Sequence, residues 1–246
     1  MVVASPLEYK DNAGTLFEGV ICYDEAWKTK DEKRPGVLLI HAFGGCTDFE
    51  IERAKRLCEE EGYVVLAGDV YGKGVRGKTK EENFALMAPL VVGSRDSLGL
   101  RLAASLDALA RQPFVNPNKI GVMGYCFGGL CAIDMARRKL PGVLAAVSFH
   151  GTLKPIQGAA NHGTPVKLQI HHGDADIHIP QEQITAFYQE MRDRKADWHF
   201  VSHGKAEHGF TKPDAAELGV PGVSYNEKAD HRSWKMMKDF FSEAFH

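Results

Sequence analysis

A chain of 246 residues, 44% of them hydrophobic and 25% charged, is long enough to bury a core without disulfides or a structural metal, and it reads as one domain over residues 1–246. With 30 Lys and Arg against 32 Asp and Glu the net charge is −2, which excludes a basic field for nucleic acid. Apolar runs such as 37–40 are strand-sized and too short to span a bilayer, and five cysteines, an odd set, fit a reducing cytoplasm better than a disulfide framework.

In chain order, the first expected structure is a hairpin around residues 15–23. Residues 36–41 read as a buried strand opening into a Gly-Gly loop. Asp48 is expected to cap a helix over 49–61, where Ile51, Ala54, Leu57 and Cys58 fall at helical spacing and Gly62 marks the stop. A strand at 63–67, a loop holding Tyr71-Gly72-Lys73 and a helix from about 96 to 111 follow, the last ending before Pro113. Residues 119–124 read as a strand that runs through Tyr125-Cys126 into a helix over 127–138. Strands at 143–150 and 166–172, a helix over 180–194, a strand at 197–202 and a final helix over 227–244 complete the series. Such alternation specifies an α/β fold, a mostly parallel central sheet with helices on both faces. Residues 151–165 and 204–224 read as loops, and sites in such sheets lie on loops at the C-terminal ends of the strands.

The most informative junction is Gly124-Tyr125-Cys126-Phe127-Gly128-Gly129, which has G-x-nucleophile-x-G spacing between a predicted strand and a predicted helix. A nucleophile on so tight a turn needs small neighbours two residues away on each side. The turn also sets Cys126 at a helix N-terminus, where the dipole favours thiolate, and leaves the Phe127 amide free to stabilise an oxyanion. The competing readings are a buried structural cysteine and a phosphate loop, but neither the G-x-x-x-x-G-K-[ST] nor the G-x-G-x-x-G pattern is present. A hydrolase of this type places its acid and then its histidine later in the chain. Asp174 and Asp176 both lie in a turn before Pro180, and His208 lies in Ala206-Glu207-His208-Gly209-Phe210; spacing alone leaves either aspartate open as the acid. His208 would take the proton of Cys126, and the aspartate would fix the imidazole tautomer.

Other residues carry less. His171, His172, Asp174, Asp176 and His178 could suggest a metal, but His171 and His172 point to opposite faces of a strand, so no metal is expected. His150, His199 and His203 read as packing or surface residues, and Cys58 and Cys131 as packing.

Together the G-x-C-x-G-G turn, the His172-Gly173-x-x-Asp176-x-x-Ile179-Pro180 stretch and Glu207-His208-Gly209-Phe210 resemble the dienelactone hydrolase family, the cysteine branch of the α/β-hydrolase fold, over residues 15–245. The resemblance implies a hydrolase of small esters or lactones, working through an acyl-enzyme with no metal or organic cofactor. Its triad would be Cys126, His208 and Asp176, because the family's acid stands four residues before the proline. One departure is that Ile40-His41-Ala42-Phe43-Gly44 stands where the family has H-E-x-F-G or Q-E-x-F-G. His41 thus replaces a glutamate thought to help form the thiolate. It is expected either to contact the thiol or to organise an oxyanion loop whose second donor is the Ala42 amide. The family also holds a substrate carboxylate with two arginines, and the corresponding places here are read as Lys73 and Lys212. The alternative is a non-catalytic small-molecule binding protein on the same fold. No nucleic-acid or membrane partner is expected.

Overall fold

The structure, a computed structural model, describes residues 1–159 and 162–246. Its strands are β1 (Val2–Lys10), β2 (Leu16–Asp24), β3 (Arg34–Ile40), β4 (Val64–Gly68), β5 (Val115–Tyr125), β6 (Val143–Phe149), β7 (Lys167–Gly173) and β8 (Trp198–His203). They form one sheet in the order β1-β2-β4-β3-β5-β6-β7-β8. β1 and β2 pair antiparallel with each other, and β2 pairs antiparallel with β4; all other pairs are parallel. The expected hairpin therefore reaches back to Val2. Its first strand carries Pro6, which a ladder tolerates here because β1 is the sheet edge. Central strands are buried on both faces and so read as continuous apolar runs: Val37 to Ile40 and Val64 to Ala67 have no exposed surface.

The helices are α1 (Asp48–Glu61), α2 (Lys80–Met87), α3 (Asp96–Ala110), α4 (Phe127–Arg138), α5 (Gln181–Asp193) and α6 (Glu227–Phe245). α1 and α6 cover one face and are joined by the buried Arg53–Asp230 pair at 2.8 Å. α3 and α4 pack on the other face, and α5 joins α4 through Arg137 and Glu190 at 2.7 Å. Asp48 is not the cap of α1. Thr47 holds that position and Glu50 closes a capping box with it, while Gly62 ends the helix at φ 70°. α2 gave no sequence signal because it has no fully buried residue; it lies in the connection after β4 and meets the loop after β3, with Phe84 stacked on Phe43 at 4.5 Å.

Strand order reverses at β3, with β4 on one side and β5 on the other. The crevice beyond the C-terminal ends of β3 and β5 is the place where such a sheet leaves room for a ligand.

Candidate active site

Cys126 stands between β5 and α4 with φ 54° and ψ −112°, a strained conformation for a residue with a side chain. Its N–H donates to the Phe149 carbonyl at 3.0 Å, and its own carbonyl accepts from Gly129 and Leu130. The glycines around it are imposed by close approach. A Cβ at Gly124 would lie 2.2 Å from the Gly128 oxygen, one at Gly128 would lie 2.0 Å from the Ile40 oxygen, and one at Gly129 would lie 2.6 Å from Ser148 Oγ. The spacing read from sequence is thus the packing of the turn against β3 and β6.

His208 Nε2 is 3.2 Å from Cys126 Sγ, and His208 Nδ1 is 2.8 Å from Asp176 Oδ2. The other oxygen of Asp176 accepts the His178 N–H at 2.8 Å. Asp174 lies outside this line, exposed, accepting from Ser202 Oγ at 3.2 Å. The His208 loop is fixed by its N–H to the Gly222 carbonyl and by the Ser224 N–H to its own carbonyl. Burial favours the neutral thiol of Cys126. The adjacent His208 charge, its hydrogen bond and the backbone N–H groups of Phe127 and Phe43 outweigh that and hold the thiol below its usual range. Burial likewise opposes charge on His208, but Cys126 and Asp176 together push it up to about 10. Burial opposes ionisation of Asp176, and His208 with the His178 N–H holds it below the usual carboxylate range. All three shifts run in the direction that favours a thiolate, an imidazolium and a carboxylate. The remaining thiols are buried: Cys22, Cys46 and Cys58 are pushed up to about 12, and Cys131 well above its usual value.

A cavity of about 560 Å³ opens over Cys126 and His208, walled by Phe43, Phe49 and Phe84 and by Leu218, Val220 and Val223, with Arg76 and Lys212 among its polar residues. Several expected residues fall elsewhere. His41, expected among the substrate-binding residues, is fully buried and does not line the cavity; Nδ1 bonds the Ala42 carbonyl at 2.6 Å and Nε2 accepts the Val70 N–H at 3.3 Å, so it braces the loop after β3, and it makes no hydrogen bond to the thiol among the described residues. The Ala42 amide is not a free donor, because it donates to Glu50 at 3.2 Å; the Phe43 amide is the one directed to Cys126. Lys73 is also misplaced by the sequence reading. It pairs with Glu8 and with Glu18 at 2.9 Å on the N-terminal hairpin, outside the cavity. Arg76, three residues on, takes the place at the mouth and makes no ion pair or hydrogen bond among the described residues. Lys212 does line the cavity, paired with Asp214. His171 faces His203 at 3.2 Å and Gln169 at 3.0 Å, and among the described residues no three metal-ligating side chains converge.

Sequence reasoning missed Glu50 and His150. Glu50 is 2% exposed in the cavity wall and is held by Ala42 and Thr47. The Thr47-x-x-Glu50 spacing signals its cap but not its second bond.

Comparison with known proteins identifies the family and the fold. The family model described as the dienelactone hydrolase family matches residues 24–245. An uncharacterised Caenorhabditis elegans protein is 46% identical over 59% of this chain and 92% of its own length. A protein of Aquifex aeolicus named "Putative carboxymethylenebutenolidase" is 22% identical over 84% of this chain and 87% of its own. Among solved structures, a dienelactone hydrolase-like promiscuous phosphotriesterase from metagenomic libraries is 33% identical with a TM-score of 0.92, covering 100% of this chain and 99% of that one. No helix among the described residues is long and apolar enough to cross a membrane.

Proposed function

The chain belongs to the dienelactone hydrolase family and is a hydrolase of ester or lactone bonds, and we propose that it works as a single domain through a Cys126-His208-Asp176 triad by way of an acyl-enzyme. The observation that carries this reading is the unbroken line from Sγ through the imidazole to Asp176, at 3.2 and 2.8 Å. The thiolate attacks the ester carbonyl, and the oxyanion that forms is met by the N–H groups of Phe127 and Phe43. As the C–O bond breaks, His208 Nε2 gives its proton to the departing alkoxide, leaving a thioester on Cys126. Neutral His208 then removes a proton from water, which attacks the thioester. The second tetrahedral intermediate expels the thiolate, and the acid product leaves.

Asp176 holds the proton on Nδ1 through both halves and balances the imidazolium. With His41 in place of the family's glutamate and bonded to Ala42 and Val70, thiolate formation rests on His208 itself, and Glu50 serves to shape the oxyanion loop. The aromatic wall of the cavity suits a small apolar ester or lactone. Arg76 at its mouth suits a substrate carboxylate better than Lys73, and adds a bidentate fork that lysine lacks.

The test is turnover of an activated ester such as p-nitrophenyl acetate by the wild type, Cys126→Ala and His208→Ala. Each substitution is expected to lower kcat/KM by at least about 1,000-fold, the scale on which triad members act. Wild-type turnover in either variant overturns the triad, and absence of turnover in the wild type across activated esters and lactones favours the binding-protein reading.

A further inference from the structure

His150 is 3% exposed, follows β6 in a left-handed conformation at φ 41°, and lines the same cavity as Cys126. Its ring meets the ring of His208 edge to face, with centroids 5.1 Å apart, and meets Phe210 in the same way at 5.2 Å. His150 Nε2 lies 2.8 Å from the hydroxyl of Thr211, which belongs to the loop that carries His208. Thr211 is itself anchored. Its carbonyl accepts from Arg53 at 2.8 Å, and Arg53 is bound by both oxygens of Asp230. The His208 loop is therefore fastened from β6 through His150 and from α1 and α6 through Arg53 and Asp230.

This matters because the contacts of His208 change during the proposed cycle. In the resting state the imidazolium is held by charge from both ends. Once Cys126 is acylated its sulfur carries no charge and His208 is neutral, so the hydrogen bond that pinned Nε2 is gone. Only Asp176 still holds the ring by a side-chain hydrogen bond, and a ring held at one atom can swing about it.

We infer that His150 is a positioning residue that keeps the neutral His208 ring aimed at the hydrolytic water, so that it acts on deacylation more than on acylation. Its fitness for that task lies in being uncharged. Burial, and after it the charge of His208, hold His150 far below the usual histidine range, so it neither takes the proton of His208 nor repels it. Among the described residues Tyr125, tilted at 6.2 Å between ring centres, is the other titratable ring beside it, and burial keeps that phenol protonated.

The inference rests on the triad reading, and pre-steady-state kinetics separate the two. With p-nitrophenyl acetate, the burst of nitrophenol reports acylation and the steady phase reports deacylation. His150→Ala is expected to keep a burst of near wild-type rate and amplitude while the steady phase falls about 10- to 100-fold, the cost of a misplaced catalytic group. Thr211→Val, which removes the hydroxyl and leaves the volume, should slow the steady phase in the same direction by less. Both phases unchanged in the two variants, or both slowed by one common factor, overturns the inference; should His150→Ala not fold, Thr211→Val alone decides by the same criterion. His208→Ala is the control: loss of both phases there, with wild-type phases in the other two, removes only the role of His150, whereas retained turnover in His208→Ala removes the triad reading itself.

Discussion

Five cysteines share one chain, and their surroundings divide them four to one. Burial is the main force on Cys22, Cys46 and Cys58 and pushes them up to about 12, whereas at Cys126 the same burial is overcome by His208 and two amides. His208 is raised to about 10 and Cys126 is lowered, each largely by the other, so the pair favours charge separation, and acidification opposes it as Cys126 takes up a proton. Iodoacetamide at pH 6 is therefore expected to label Cys126 alone, as peptide mapping would show; labelling of Cys46 at an equal rate would contradict the account. Asp176→Asn removes a carboxylate that raises His208, so it should slow that labelling and turnover far more than Asp174→Asn, and the reverse ranking would move the acid role to Asp174. At this scale the convergence of Cys126, His208 and Asp176 was legible because a nucleophile-type turn, an acid before Pro180 and a histidine before Gly209 carry chemistry in their residue types. The proposed oxyanion donors and the cation at the cavity were less so. Whether Ala42 or Phe43 offers its amide depends on the carboxylate of Glu50 arriving from α1, and whether Lys73 or Arg76 meets the cavity depends on the path of a loop anchored to Glu8 and Glu18. Neither dependence is local in sequence.

The elements that position these residues differ in how far their sequences announce them. The β5–α4 turn is legible because three backbone segments meet there closely enough to exclude a Cβ, so its glycines are dictated by contact. Gly128→Ala tests this: with the Ile40 oxygen 2.0 Å from the new methyl, the strand or the helix must move, and stability should fall by at least about 3 kcal/mol in urea unfolding, with turnover lost. A change of less than about 0.5 kcal/mol, within the range of an ordinary surface substitution, would mean that the turn is looser than described. α2 lies at the other extreme. With no fully buried residue it has no apolar period to read, and it docks through the partly buried Leu86 and Met87 and through Phe84 against Phe43, a contact between residues far apart in the chain. β1 was obscured in a similar way, since an edge strand needs only one partner and can carry a proline.

Across the whole molecule, the alternation of apolar runs with amphipathic stretches specified a parallel sheet covered on both faces, and the reversal of strand order at β3 fixed where a site would form. The three proposed catalytic groups come from three loops at that end of the sheet, after β5, β7 and β8. Their convergence is a property of the sheet, because parallel neighbours deliver successive loops to the same edge. The flanks are stiffened by buried ionic groups: Asp134 binds Arg95 and Arg137, and Arg137 binds Glu190 and the carbonyls of Leu153 and Lys154, fastening the loop after β6 to α4 and α5. The central claim is that this convergence makes Cys126 an acyl carrier. Intact-protein and peptide mass spectrometry of the protein quenched in acid during turnover of p-nitrophenyl acetate tests it most directly. The account predicts one acetyl group per chain, located on Cys126 and absent from Cys126→Ala; an acetyl group on another residue, or turnover by Cys126→Ala at the wild-type rate, would contradict it.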